Sequence, residues 1–114
     1  MPKLRLKPVV LPVDTVIYQC IVNIEIGFNV NENPRAYANK VLACAKRYTG
    51  WWHDTNASEP MPSGSDFEYT FLYRIGFDGS ERSLRSTLHS FCADVKTILG
   101  LRLLSINITE HEQD

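Results

Sequence analysis

The chain has 114 residues, of which 44% are hydrophobic and 22% charged, and its formal net charge is −1. This length fits one domain, and a chain of this size can bury a core without disulfides or metals. The nearly balanced charge argues against a surface that binds a nucleic-acid backbone as a whole, because such proteins carry a basic excess.

The three cysteines, Cys20, Cys44 and Cys92, form no CxxC or CxH cluster. An odd number of scattered cysteines is typical of reduced thiols in a cytoplasmic protein and not of a disulfide framework. No apolar run approaches the roughly 18 residues of a membrane span, and the first residues lack a signal-peptide pattern. We therefore expect a soluble cytoplasmic protein with no membrane partner.

Residues 1–13 are predicted to form an extended N-terminal arm. Basic residues alternate there with leucines, and Pro8 and Pro12 exclude the segment from a central strand. A single α+β domain is expected over residues 14–110, followed by a frayed acidic tail over residues 111–114.

The first strand is predicted over residues 15–30. Period-two alternation assigns six residues to the core face: Tyr18, Cys20, Val22, Ile24, Ile26 and Phe28. The face of the strand opposite to these residues is mostly polar, as in an antiparallel sheet with one solvated side.

A first helix follows, with Asn33 as the expected N-cap and Pro34 at the first helical position. Gly50 is expected to end it. Its core stripe at helical spacing is Tyr37, Val41, Cys44 or Ala45, and Tyr48.

The segment from Trp51 to His53 is predicted as a short strand or the start of a turn, and residues 54–65, rich in proline and serine, as an exposed flexible loop. The next strand covers about residues 66–77. Its predicted core face consists of Phe67, Tyr69, Phe71, Tyr73, Ile75 and Phe77.

A second helix is predicted over about residues 80–99, with Asp78 or Ser80 as its cap and Gly100 as its stop. The core stripe of this second helix is predicted to be Leu84, Leu88, Phe91, Val95, Ile98 and Leu99.

The last strand is predicted over about residues 101–109. Its inward-facing residues are predicted to be Leu104, Ile106 and Ile108.

The order of these elements predicts a ferredoxin-like β-α-β-β-α-β sandwich, an antiparallel sheet with two helices on one face. An internal echo supports it, because an Ile-Gly-Phe-Asn/Asp sequence precedes each helix, at Ile26 and again at Ile75. Right-handed crossovers place the two long strands in the centre and the short tryptophan strand and the last strand at the edges.

No motif commits the chain to a reaction, since no GxGxxG, P-loop, GxSxG or HExxH sequence occurs. His89 and Cys92 have a spacing that metal ligands can use, but no second pair completes a site. The aromatic third strand invites comparison with RNA-binding modules, yet the helices need that apolar face as core. We predict no catalytic residues, cofactor or metal.

Helix one carries four basic residues and no acid between Glu32 and Asp54. This asymmetry favours a surface for an acidic partner, with a plain solvated helix face as the alternative. Adjacent tryptophans on a strand point to opposite faces, so one of them can anchor an interface. The predicted protein-interaction residues are Arg35, Lys40, Lys46, Arg47, Trp51 and Trp52.

These features favour a non-enzymatic protein-binding module: a small inhibitor, adaptor or assembly subunit of a bacterium or mobile genetic element. The alternatives are a nucleic-acid-binding protein that uses helix one and the N-terminal arm, and a small enzyme with an inter-subunit site. We also expect a homodimer through a sheet edge or the open sheet face. That face would be left bare by the helices and would carry Ile17, Ile21, Leu72 and one tryptophan.

Overall fold

A computed structural model describes residues 17–48, 51, 55–64 and 66–113. The predicted N-terminal arm, Gly50, Trp52 and His53 lie outside these residues. The elements are β1 (Ile17–Phe28), α1 (Pro34–Ala45), β2 (Asn56–Ala57), β3 (Met61–Pro62), β4 (Tyr69–Gly79), α2 (Glu81–Leu99), a 3₁₀ turn (Gly100–Arg102) and β5 (Leu103–Gln113).

The sheet is antiparallel, and its strand order is β2-β4-β1-β5, with β3 also on β4. The long strands β1 and β4 form its centre, and both helices pack on one face in a shared core. The predicted ferredoxin-like sandwich is confirmed. Among the described residues, neither helix is both long and apolar enough to span a membrane.

Parts of the segment predicted as an exposed flexible loop, residues 54–65, pair with β4, while its described residues 56–62 are exposed as predicted. Trp51 forms an antiparallel bridge with Phe77, and β2 and β3 then pair with β4 farther along the same edge. Between them, Ser58 donates its backbone N–H to the carbonyl of Leu72 at 2.9 Å and accepts the N–H of Leu72 on its Oγ at 2.8 Å. The edge groups of β4 need partners, so even this proline-broken segment is held along the strand.

The six predicted core residues of β1 are all buried, as are Phe71, Tyr73, Ile75 and Phe77 of β4. The assignment of Phe67 to the core face is wrong. Its ring lies against Gly27, a residue of the open face of β1, so close that a Cβ on Gly27 would approach Phe67 Cδ2 to 2.5 Å. The chain bends at residues 66–68 and β4 begins only at Tyr69, so the strand alternation does not extend back to Phe67.

Both helix starts follow the predicted capping. Asn33 Oδ1 accepts the N–H of Arg35 at 3.0 Å, with Pro34 as the first helical residue. In α2 the cap is Ser80, whose Oγ accepts the N–H of Ser83 at 3.3 Å, and Gly100 ends the helix with a φ of 57°. Both Cys44 and Ala45 of α1 are buried.

Strand β5 extends to Gln113, and residues 111–113, predicted as a frayed tail, pair with Ile17–Gln19 of β1. A register shift at Ile26 sets Leu103 opposite that residue. Leu103 and Ile106 therefore pack against the core, and Leu104 is not among the residues that do. Ile108 is 42% exposed at the sheet edge.

Candidate protein-binding site

A groove of about 390 Å³ runs between α1 and the segment that carries β2 and β3. Its floor is the aromatic pair Phe71 and Tyr73 of β4. It exists because the edge segment is interrupted and small residues line both walls. The lining residues are Pro34, Arg35, Ala38 and Asn39 from α1, Ala57, Ser58 and Pro60 from the edge, and the two aromatic residues.

All four predicted basic residues of helix one are exposed, and none pairs with a carboxylate of the described residues. Only Arg35 lines the groove. The helix ends earlier than predicted, so Lys46 is the C-cap of α1 and Arg47 lies beyond its end. Lys46 is eleven residues or roughly 16 Å farther along the axis than Arg35, and Lys40 lies on a different flank of α1 from Arg35. The four cations are therefore spread over an extended surface and do not converge on one point.

Trp51 is half-buried against the core at the outer edge of β4, and the Lys46 Nζ lies 5.7 Å from the centroid of its ring. This is the geometry of a cation–π contact. Trp51 thus packs against the helix-side core, whereas Trp52 lies outside the described residues.

A polar cluster that sequence reasoning missed joins the residues before α1 to the turn before β5. Glu32 accepts the N–H of Asn29 at 2.9 Å and hydrogen bonds from the Tyr37 hydroxyl and the Arg102 guanidinium. Together these contacts lower the pKa of Glu32 to about 2, and the hydrogen bond from Tyr37 has the largest effect. The Arg102 guanidinium also lies 4.9 Å from the Tyr37 ring centroid. The carboxylate is fully engaged as a structural link.

A second missed cluster joins the end of α1 to α2. Asp94 accepts the Tyr48 hydroxyl and lies 3.6 Å from Cys44 Sγ. The bond to Asp94, followed by burial, raises the pKa of Tyr48 to about 12. Burial also raises the pKa of the Cys44 thiol. A thiol with a raised pKa is a poor nucleophile, so this cluster is structural.

His89 and Cys92 lie side by side on α2, as the sequence indicates, and face β5 across a second groove of about 450 Å³. Burial raises the pKa of Cys92. No group of three or more His, Cys, Asp or Glu residues that could hold a metal ion occurs among the described residues.

Hydrogen bonds from polar side chains link neighbouring strands on the open sheet face. The Asn23 amide donates to the carbonyl of Asn107 at 3.4 Å and to Thr109 Oγ1 at 3.3 Å, and Ser105 Oγ donates to Glu25 at 3.2 Å. Its large apolar side chains within the described residues, Ile21, Leu72 and Phe67, are half-buried and none is exposed. The exposed apolar patch expected on this face is absent there, while the side chain of Ile17 and residue Trp52 lie outside the described part.

No family model matches the chain, and no curated protein matches it. Its fold is similar to that of the de novo designed protein Foldit4, at 11% identity and a TM-score of 0.50 over 86% of this chain and 99% of that one. A hydroxynitrile lyase from Passiflora edulis (11% identity, TM-score 0.47, 86% and 94% covered) is also similar. A dimeric ferredoxin-like protein of unknown function from Thermobifida fusca YX is similar as well, at 14% identity and a TM-score of 0.43 over 86% of this chain and 92% of that one. At these identities the similarity concerns the fold alone.

Proposed function

We propose that this protein is a non-enzymatic protein-binding module, a small inhibitor, adaptor or assembly subunit, that holds an acidic segment of a partner protein in the groove between α1 and the β2–β3 edge. The observation that carries this proposal is the groove itself. It combines an aromatic floor, Phe71 and Tyr73, with the exposed Arg35 at its rim.

The chemistry of the groove suits a short partner segment with an apolar side chain beside a carboxylate. The apolar group would cover the aromatic floor, and the carboxylate would pair with the Arg35 guanidinium, which can bind it with two parallel hydrogen bonds. Lys40, Lys46 and Arg47 add positive potential that speeds the approach of an acidic partner. Cations spread over roughly 16 Å of helix fit an extended acidic surface better than a small anion.

Two further features belong to this proposal. Cys44 and Cys92 are free thiols, which supports a reducing compartment, and we propose that the module is cytoplasmic. We also propose that it acts as a homodimer.

The test compares Arg35→Glu with Arg82→Glu. Both arginines are exposed and occupy the second position of a helix, so the two variants change the charge and the local helix energetics alike. Tagged full-length protein captures partners from nuclease-treated native lysate, and the affinity for the recovered partner is then measured by titration calorimetry. We expect Arg35→Glu to weaken binding at least about tenfold and Arg82→Glu to change it little.

A charge swap sharpens this test. Replacing the partner's acidic residue by arginine should restore binding to Arg35→Glu and weaken binding to the wild type. Equal losses in the two arginine variants would contradict the groove as the site. Capture that nuclease abolishes would instead support nucleic-acid binding through α1.

A further inference from the structure

The outer edge of β5 is long and unprotected. Within the described part of the chain β5 pairs only with β1, and its sequence, LLSINITEHEQ, contains no lysine, arginine or proline. Natural sheet edges are usually protected by such residues, by bulges or by short length. The one register irregularity lies at the beginning of β5, near Leu103. The charged residues of β5, Glu110 and Glu112, are confined to its C-terminal end, so the uncharged stretch up to Thr109 can accept another strand.

The helix side of this edge is also incompletely covered. Ile108 is 42% exposed and lines the groove of about 450 Å³ with Leu88 and Cys92 of α2. A neighbouring groove of about 400 Å³ lies between α2 and the residues Leu103 to Ile106. A strand added beside β5 would lie next to both grooves and would cover Ile108.

We propose that the β5 edge pairs with the β5 edge of a second copy of this chain, antiparallel across a two-fold axis, to form one continuous sheet. This inference specifies the interface of the proposed homodimer and is independent of the acidic-partner groove on the opposite edge. In a two-fold interface each strand meets itself in reverse, so β5 must be complementary to its own reversed sequence.

The sequence of β5 meets this requirement when the two strands pair about Asn107. Ile106 of each copy is then opposite Ile108 of the other, which gives two apolar cross-strand pairs. The same register sets Glu110 opposite Leu104, where Lys96 of α2 lines the groove. The acidic residues in the sequence of β5 are all in its C-terminal half, and this register sets that half opposite the part of the partner strand that lies next to Lys96. This charge pattern favours a second copy as the occupant.

The test uses the full-length chain and compares Ile108→Lys with Met61→Lys. Both residues are exposed apolar residues on opposite edges of the sheet, at 42% and 62% exposure, so lysine is tolerated in the monomer at either position. Light scattering coupled to size exclusion, over a range of concentrations, should give twice the chain mass for the wild type and Met61→Lys. Ile108→Lys should give the mass of one chain, with a circular dichroism spectrum that shows it folded.

Amide hydrogen exchange gives a second measurement without substitution. In the dimer both alternating sets of β5 amides are hydrogen bonded, so protection should extend over the whole strand and should fall by half on dilution to monomer. A monomeric wild type, a dimeric Ile108→Lys, or complete protection of β5 in the monomer would overturn the proposal. The last result would mean that residues of the same chain or another ligand cover the edge. Arg35→Glu should leave the dimer unchanged, so the two proposals can fail separately.

Discussion

The two edges of the sheet deal with unpaired backbone groups in opposite ways. Along the outer side of β4, the chain pairs in pieces of two residues, Asn56–Ala57 and Met61–Pro62, with Pro60 and the Ser58 side chain between them. Along the outer side of β1, β5 pairs over Ile17 to Ile26 with one register shift. One edge is broken and the other is nearly continuous.

This difference determines what each edge can recognise. The broken edge presents too few regularly spaced N–H and C=O groups to accept a strand, but its interruptions leave a groove that admits side chains. The β5 edge presents a regular backbone, which recognises any strand of suitable shape and gains specificity only from its neighbouring side chains. A sheet of this kind can bind a side-chain ligand at one edge and a strand at the other.

The largest expected effect tests how well each edge is covered. Phe71 is buried beneath the broken edge, at 5% exposure, whereas Ile106 is only half-buried beneath the β5 edge. Phe71→Asp should cost at least about 3 kcal/mol of unfolding free energy, because its carboxylate has no partner in the core. Ile106→Asp should cost roughly 1–2 kcal/mol. Urea unfolding followed by tryptophan fluorescence in dilute solution measures both variants. Equal losses of unfolding free energy would contradict the conclusion that the residue beneath the β5 edge is less buried than the one beneath the broken edge.

A smaller effect concerns the contact that holds the start of β4 beside the broken edge. A Cβ added at Gly27 would lie 2.5 Å from Phe67 Cδ2, so Gly27→Ala must displace the ring. We expect a loss of about 1–3 kcal/mol in Gly27→Ala.

Gly64 is the control for this substitution, since nothing lies within 4 Å of an added Cβ there, and Gly64→Ala should stay within about 0.5 kcal/mol of the wild type. In a Phe67→Ala background the effect of Gly27→Ala should largely disappear. If it persists there, the clash is not with Phe67.

The smallest expected effect concerns the link that fixes the beginning of β5. The contacts of Glu32 with Tyr37 and Arg102 lower its pKa from 4.5 to about 2. A lowered pKa contributes stability that is present above pH 4.5 and is lost as the pH falls toward 2. The stability difference between wild type and Glu32→Gln should therefore be largest near neutral pH and shrink over that interval.

Unfolding in urea at a series of pH values measures this dependence. Glu59→Gln, which replaces an exposed carboxylate outside the cluster, is measured alongside it as the matched control. A difference for Glu32→Gln that is constant between pH 7 and pH 2.5 would contradict the assigned role of the Glu32 carboxylate.

The sequence by itself determined the two long strands, both helices, their caps and the ferredoxin-like order. These features follow from periodicity and capping over a few neighbouring residues, as in the buried face of β1 and the Asn33-Pro34 start of α1. It also identified the exposed cations of α1. It did not reveal that Arg35 alone lies at a groove, because the opposite wall comes from Ala57 to Pro60, more than twenty residues farther along the chain.

Only the tertiary structure decided how the edges are built. Asn56–Ala57 and Met61–Pro62 have no strand pattern of their own, and they follow β4 because its outer backbone groups must be paired. Residues 111–113 extend β5 because β1 continues to Ile17 on the other side of the pairing. The links from Glu32 to Arg102 and from Tyr48 to Asp94 span 70 and 46 residues. Local sequence patterns do not encode such partners, since they meet only when the sheet and both helices have packed together.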